Sequence, residues 1–195
     1  MRLLHFLLEN NYKVELVISE SAFKVAQAQI NLNLSSNPKI LKEQVETYCG
    51  TSLHSRSKLN VWAHGDIAAS ISSGSYRTSA MVIIPASMGT IGAIASGTSD
   101  NLITRAADVC LKERRKLILV PREMPFGTIH LENLTRLSIA GAIIAPACPG
   151  FYHNPKDLND AIDFVVGKVL DLIGIDHSLL KRWRELVKNY SLNRV

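Results

Sequence analysis

Residues 81–90 read Met-Val-Ile-Ile-Pro-Ala-Ser-Met-Gly-Thr, and the rest of the chain is best read outward from them. Met81 to Pro85 is an unbroken apolar run, the pattern of a strand buried on both faces in a parallel sheet. Ser87 comes next, with an acceptor oxygen for the free N–H groups at the start of a following helix. This strand–turn–helix unit repeats downstream. Lys116–Val120 and Ala142–Ala145 are apolar strands. Asp100–Glu113, Thr128–Ser138 and Leu158–Ile173 carry helical patterns, and Ser178–Lys188 (extending to about 190) predicts a short C-terminal helix. Upstream, Leu3–Leu8 reads as the end of a helix and Lys13–Ile18 as a strand. Ser19 can cap a helix running to about Gln29, and residues 31–37 are loop. Pro38–Tyr48 is a helix with proline at its start and Gly50 past its end. Leu59–Trp62 is a short strand. Strands alternating with helices predict a Rossmann-like, doubly wound parallel sheet with helices on both faces, an α/β fold of three layers.

The 195 residues suit a single domain spanning 1–195, and 47% hydrophobic residues supply a core without disulfides or metal. The net charge of +5 favours anionic partners. The cations are dispersed, however, so small phosphates fit better than nucleic acid. Cys49, Cys110 and Cys148 form no C-x-x-C pair, and the six histidines show no metal-ligand spacing, so no metal is expected. The opening MRLLHFLLENN is too short and too quickly polar for a signal peptide or a membrane span, which points to a cytoplasmic protein.

Ligands of doubly wound folds bind beyond the C-terminal ends of the strands. Four groups of informative residues fall there: Ser19, the turn Ser87-Met88-Gly89-Thr90, Arg122-Glu123, and the loop Gly150-Phe151-Tyr152-His153. A small-residue turn at a helix start accepts phosphate or the polar edge of a flavin through backbone N–H groups. Arg122 and Glu123 offer a cation and a proton acceptor side by side. On the helix 100–113, Arg105, Asp108 and Lys112 share a face where two cations could hold a phosphate. Tyr152 and Lys168 could bind phosphate oxygens. Each group also has an ordinary reading, as an N-cap turn, a solvated salt-bridged face, a structural ion pair or a loop aromatic, and these stay open on residue patterns alone.

Together the segments are similar to one family. MVIIPASMGTIGAIASGTSDNLITRAADVCLKERRKLILVPREMPF resembles the core of the UbiX-type flavin prenyltransferases. The resemblance continues through IHLENLTRLSIAGAIIAPACPGFYHNP and DAIDFVVGKVLDLIGID, and upstream in VISESA and DIAASISSGS. It covers the chain from about Val14 to Trp183, with LKERRKLILVPRE and GFYHNP its most specific parts. It implies a flavoprotein-type Rossmann-like domain assembled into a homo-oligomer, a dodecamer, with reduced FMN as prenyl acceptor at subunit interfaces and no metal. The implied reaction moves a dimethylallyl group from dimethylallyl phosphate to the flavin N5 nitrogen, then closes a ring onto C6. The prenylated FMN serves UbiD-type decarboxylases of ubiquinone or aromatic acid pathways. By the same resemblance, FMN contacts fall on Ser19, Ser87, Met88, Gly89, Thr90 and Arg122. Prenyl-phosphate contacts fall on Lys112, Arg122, Tyr152 and Lys168, with Arg105 nearby. Glu123 takes the acid/base position, and Trp183 is the aromatic that closes the site.

The sequence departs from the family pattern in three places. The family opens with a strand and a Gly-rich Thr-Gly-Ala-Ser-Gly turn before a helix like RLLHFLLENN, and here Met1 stands inside that helix. Weak flavin retention is the expectation for a chain so begun. Ala86 stands where relatives often carry cysteine, and Gln29 where some carry glutamate. Two rivals remain. A flavin-dependent cysteine decarboxylase has a similar turn at Pro85–Thr90, but that group places a catalytic histidine before an isoleucine, and here Asp66 precedes Ile67. A non-catalytic FMN-binding subunit is the other.

Overall fold

The computed structural model describes residues 1–50 and 58–180. Trp183 and most of the expected C-terminal helix lie outside the described residues. The elements are α1 (Arg2–Glu9), β1 (Val14–Val17), α2 (Glu20–Ile30), α3 (Pro38–Tyr48), β2 (Leu59–Trp62), a 3-10 turn (Ser70–Ser72), β3 (Met81–Ala86), α4 (Met88–Ala95), α5 (Leu102–Lys112), β4 (Leu117–Pro121), α6 (Thr128–Ile139), β5 (Ile143–Ile144) and α7 (Leu158–Ile173). The helix starts follow local chemistry. Asn37 accepts from the Lys39 and Ile40 N–H groups ahead of Pro38. Asn101 and Thr104 form a capping box on α5, and Asp157 caps α7. Gly174 ends α7 at φ 93°, a left-handed conformation that only glycine adopts cheaply.

All strand pairs are parallel, but the described strands form two sheets, β1-β2 and β3-β4-β5. α1 spans both. Its Leu4 and Leu8 join the core over β1, β2 and α3. Its Leu3, Phe6 and Leu7 pack with Val82, Ile118, Val120 and the inner face of α7. On the other face of β3-β4-β5, α4, α5 and α6 pack Ile91, Ala107, Cys110, Leu134 and Leu137 against Ile83, Leu117 and Leu119. The three layers therefore place α1 and α7 on one face and α4–α6 on the other.

Strand β4, in the middle, is buried along its whole length. β3 corrects one expectation, because Ile84 and Pro85 are exposed although the run is apolar. Among the described strands β3 pairs only with β4, so the end of the strand lies on an open edge of this sheet. β5 is also shorter than its apolar run suggested, at two residues. The Ala145 N–H still reaches the Leu119 carbonyl (2.8 Å) and Ala147 that of Pro121 (3.0 Å), which carries the chain on alongside β4.

The β1-β2 sheet holds a charge. Glu15 accepts hydrogen bonds from the Tyr76 hydroxyl (2.5 Å), Trp62 Nε1 (2.7 Å) and Asn60 Nδ2 (3.0 Å), and pairs with Lys13 Nζ at 3.1 Å. Burial alone would push its carboxyl up, but the four donors together outweigh it and hold the group below the usual carboxylate range. Because the folded value is depressed, this stabilisation is present above the unfolded carboxylate range near pH 4 and is lost as pH falls through the folded value. Tyr76→Phe removes the bond donated to Glu15 and the bond its hydroxyl accepts from Lys13 Nζ at 3.0 Å, and is expected to cost about 1–3 kcal/mol at neutral pH. The loss should shrink in the most acidic denaturant titrations. An equal loss at every pH would mean that the phenol acts by packing alone.

No described helix is long and apolar enough to cross a membrane. The described residues contain no cluster of His, Cys, Asp or Glu that could hold a metal ion.

Candidate active site

Two neighbouring strands set the centre of the site. The register pairs Ala86 with Pro121, so the next residues, Ser87 and Arg122, leave the sheet side by side. Adjacent strands are about 4.8 Å apart, which puts the start of α4 and the Arg122-Glu123 pair within reach of one ligand. Ser87 caps α4, accepting from the Thr90 N–H at 3.2 Å and sharing a hydrogen bond with Thr90 Oγ1 at 3.0 Å. These bonds fix both hydroxyls at the positive end of the helix. Met88 packs its side chain on the core, so it offers only its backbone to a ligand. A Cβ at Gly89 would meet only Ser87 Oγ, at 3.8 Å, and the turn is therefore open above the backbone. Such a helix start suits an anion or the hydrogen-bonding edge of a flavin.

Arg122 and Glu123 are exposed beyond β4. Glu123 Oε1 accepts from the Met124 N–H at 3.1 Å, which leaves the rest of the carboxylate directed by its own backbone rather than by a cation. The peptide bonds before Pro85 and Pro125 are both cis. Ser19 occupies the equivalent place on the other sheet. It caps α2 by accepting from the Ala22 N–H at 3.3 Å, directly beyond β1.

The remaining predicted residues separate by face. Lys112 lies in the last turn of α5, beside the start of β4, while Arg122 follows its end. The five residues of β4 alone separate these two edges by roughly 16 Å. Arg105, two turns earlier on α5, pairs with Asp108 at 3.4 Å, the salt-bridged face that the pattern also allowed. Lys168 lies on α7, across the sheet from α5, and pairs with Asp171 at 3.8 Å. Asp171 also meets His177 Nε2 at 3.2 Å. Tyr152 packs its ring against Phe164 (centroids 5.7 Å), one helical turn before Lys168 on the same stripe of α7. One chain thus places Ser87–Thr90 beside Arg122 and Glu123, and Tyr152 against Phe164, one helical turn before Lys168. It does not bring Lys112 to either Arg122 or Lys168.

Sequence reasoning missed the surroundings of Tyr152. His153 stacks on Phe164 (5.1 Å, 8°), and Gly150 lies beneath the rings. The aromatic content of Gly-Phe-Tyr-His was visible, but its partner is eleven residues beyond His153 on a helix whose apolar face points into the core, and no period links the two.

A family model described as Flavoprotein matches residues 1–170. The flavin prenyltransferase UbiX of Alkalihalophilus pseudofirmus is 48% identical over 185 residues, covering 95% of this chain and 89% of the relative. The enzyme of that name from Pseudomonas aeruginosa is 44% identical over 185 residues, with 95% and 87% covered. Among solved structures, AnUbiX in complex with FMN and dimethylallyl pyrophosphate superposes with a TM-score of 0.80 at 37% identity, covering 93% of this chain and 88% of that one. A dodecameric FMN-dependent Ubix-like decarboxylase from Escherichia coli O157:H7 gives a TM-score of 0.77 at 38% identity, with 93% and 90% covered.

Proposed function

The chain belongs to the UbiX-type flavin prenyltransferases within the flavoprotein family, and from that premise we propose that it transfers a dimethylallyl group from dimethylallyl phosphate to reduced FMN. The group is joined at N5 and then at C6, and the prenylated FMN is passed in the cytoplasm to a UbiD-type decarboxylase. The observation that carries this reading is the pairing of Ala86 with Pro121, which sets a helix start suited to an anion beside a cation and a carboxylate.

The residues fit an FMN and a prenyl phosphate. The Ser87–Thr90 turn and Ser19 supply backbone N–H groups and hydroxyls to the flavin and its phosphate. Phosphate leaves only when its growing charge is met, and Arg122, Lys112 and Lys168 supply that charge, with Arg105 two turns back from Lys112 on the same helix. Tyr152 and Trp183 offer π faces to an allyl group that becomes cationic as its C–O bond breaks. Glu123 takes up the proton released when the ring closes. No metal has a role in this scheme.

The topology supports a shared site. α5 and α7 cover opposite faces of the sheet, so a phosphate that touches both Lys112 and Lys168 must lie between copies of the chain. We therefore propose a homo-oligomer, a dodecamer like the Escherichia coli neighbour. Exposed apolar side chains support it: Met124 is 92% exposed, Ile139 82% and Phe151 73%, and a groove along α6 is lined by Leu131, Thr135 and Ile139. Ile139→Glu places a charge in that surface and is expected to shift the protein to smaller species in sedimentation velocity. An unchanged sedimentation coefficient would remove the end of α6 from the contacts.

The activity test is anaerobic incubation with reduced FMN and either dimethylallyl phosphate or the pyrophosphate. The expected result is a flavin product heavier by one C5 unit, formed faster from the monophosphate. Mass spectra with unmodified FMN under both conditions would overturn the proposal, and faster reaction with the pyrophosphate would change the donor.

A further inference from the structure

Tyr152 is 62% exposed on a loop, yet one flank of its ring rests against a stacked pair of rings. It stands nearly perpendicular to His153 (6.0 Å, 82°) and to Phe164 (5.7 Å, 84°), which are stacked on each other at 5.1 Å and 8°. Such edge-to-face contacts are the favoured aromatic geometry. The backbone of Gly150 also lies close against these rings. A Cβ on Gly150 would lie 2.6 Å from Tyr152 Cε1 and 2.9 Å from Phe164 Cζ, so no other residue fits there without displacing a ring. Phe164 is fixed in turn by α7, whose neighbouring Val165 and Val166 pack into the core over β4.

His153 is the unusual member. Both of its ring nitrogens are buried, and neither has a hydrogen-bond partner among the described residues. Natural proteins seldom leave buried nitrogens unpaired, and those that remain call for a reason. These nitrogens are closed off from solvent, so a ligand cannot reach them without the loop opening. What the imidazole presents to its neighbours is a flat face toward Phe164 and an edge relationship to Tyr152.

We propose that His153 and Phe164 are positioning residues for the Tyr152 phenol. With Gly150 they form a cradle in which the imidazole acts through its aromatic surface and not through its nitrogens. The cradle passes the rigidity of α7 to an exposed loop and holds Tyr152 against Phe164, itself one helical turn before Lys168, so that phenol and ammonium meet the same phosphate. This rests on the reading of Tyr152 as a prenyl-phosphate contact.

The test compares His153→Ala, His153→Phe, Phe164→Ala and Tyr152→Phe in the full chain labelled with fluorotyrosine. The Tyr152→Phe protein identifies the Tyr152 resonance in the fluorine NMR spectrum, a readout that needs no turnover. In His153→Ala and Phe164→Ala this resonance should move toward the position of solvated fluorotyrosine. KM for dimethylallyl phosphate should rise roughly tenfold, the upper range for loss of aromatic contacts, with kcat changed by less than about threefold. His153→Phe keeps a planar ring without nitrogens, and should restore both the resonance and KM to within about twofold of the parent protein. If His153→Phe is as impaired as His153→Ala, the nitrogens carry the function and the proposal is wrong. An unmoved resonance in Phe164→Ala would also overturn it. If the resonance moves as expected but Tyr152→Phe leaves KM unaltered, the cradle stands and it is the phosphate role of Tyr152 that fails.

Discussion

Glu123→Gln is expected to slow prenylated FMN formation by about a hundredfold or more, the usual range for loss of a general acid or base, while both substrates still bind. The geometry makes this substitution informative. Glu123 Oε1 already accepts from the Met124 N–H at 3.1 Å. A glutamine carbonyl can accept the same bond, so the side chain keeps its place and loses only its capacity to take a proton. No cation is hydrogen-bonded to Glu123 among the described residues, which argues against a purely structural ion pair with Arg122. Arg122→Ala should behave differently, raising KM for the prenyl phosphate as well as lowering the rate, because phosphate charge then goes unmet in both the ground and transition states. Isothermal titration with each substrate, run beside single-turnover kinetics, separates the two. If Glu123→Gln lost binding and turnover in equal measure, Glu123 would be a partner of Arg122 and not the proton acceptor.

Much of the architecture could be read from the chain because its signals are local. Pro38 with Asn37 before it, Ser87 after an apolar strand, and Gly174 after α7 each fix a boundary through one backbone requirement. The apolar run Lys116–Val120 announced a strand, and β4 lies fully buried at the middle of its sheet. Met81–Pro85 announced a strand covered on both faces and ended at an open edge among the described strands, because apolarity reports a preference for burial and not which neighbours exist to supply it. The grouping of site residues at strand ends was legible for the same reason: parallel strands place all their C-terminal ends on one edge. Which of those residues meet was not. The Ala86–Pro121 register that brings Ser87 beside Arg122 depends on sheet pairing across 35 positions, with a shift after Ile83 that no local pattern records. The assignment of α5 and α7 to opposite faces depends on the hand of the crossovers, and it separates Lys112 from Lys168 although both look like cations on amphipathic helices.

That separation leads to an experiment on mixed assemblies. Lys112→Ala and Glu123→Gln should each reduce turnover to about a hundredth or less when present in every chain. Lys112 lies beside the start of β4 and Glu123 beyond its end, on opposite edges of the sheet in one chain. If the phosphate that Arg122 and Glu123 of one copy address is met by Lys112 of another, the two defects fall on different partners of each site. Co-expression of the two variants under separate tags, with purification through both, gives assemblies in which about a quarter of the sites combine an intact Lys112 with an intact Glu123. Activity should recover to about a quarter of the parent value, some 25-fold above either variant alone. A paired control uses Arg122→Ala with Glu123→Gln. These neighbours leave the same strand of the same chain, so no mixed assembly rebuilds them into one site beyond the copies that each variant has already spoiled, and no recovery is expected. If Lys112→Ala with Glu123→Gln also failed to recover, while both tags eluted in one complex of native size, then Lys112 would serve either its own chain or no site at all. The shared-phosphate geometry would have to be given up.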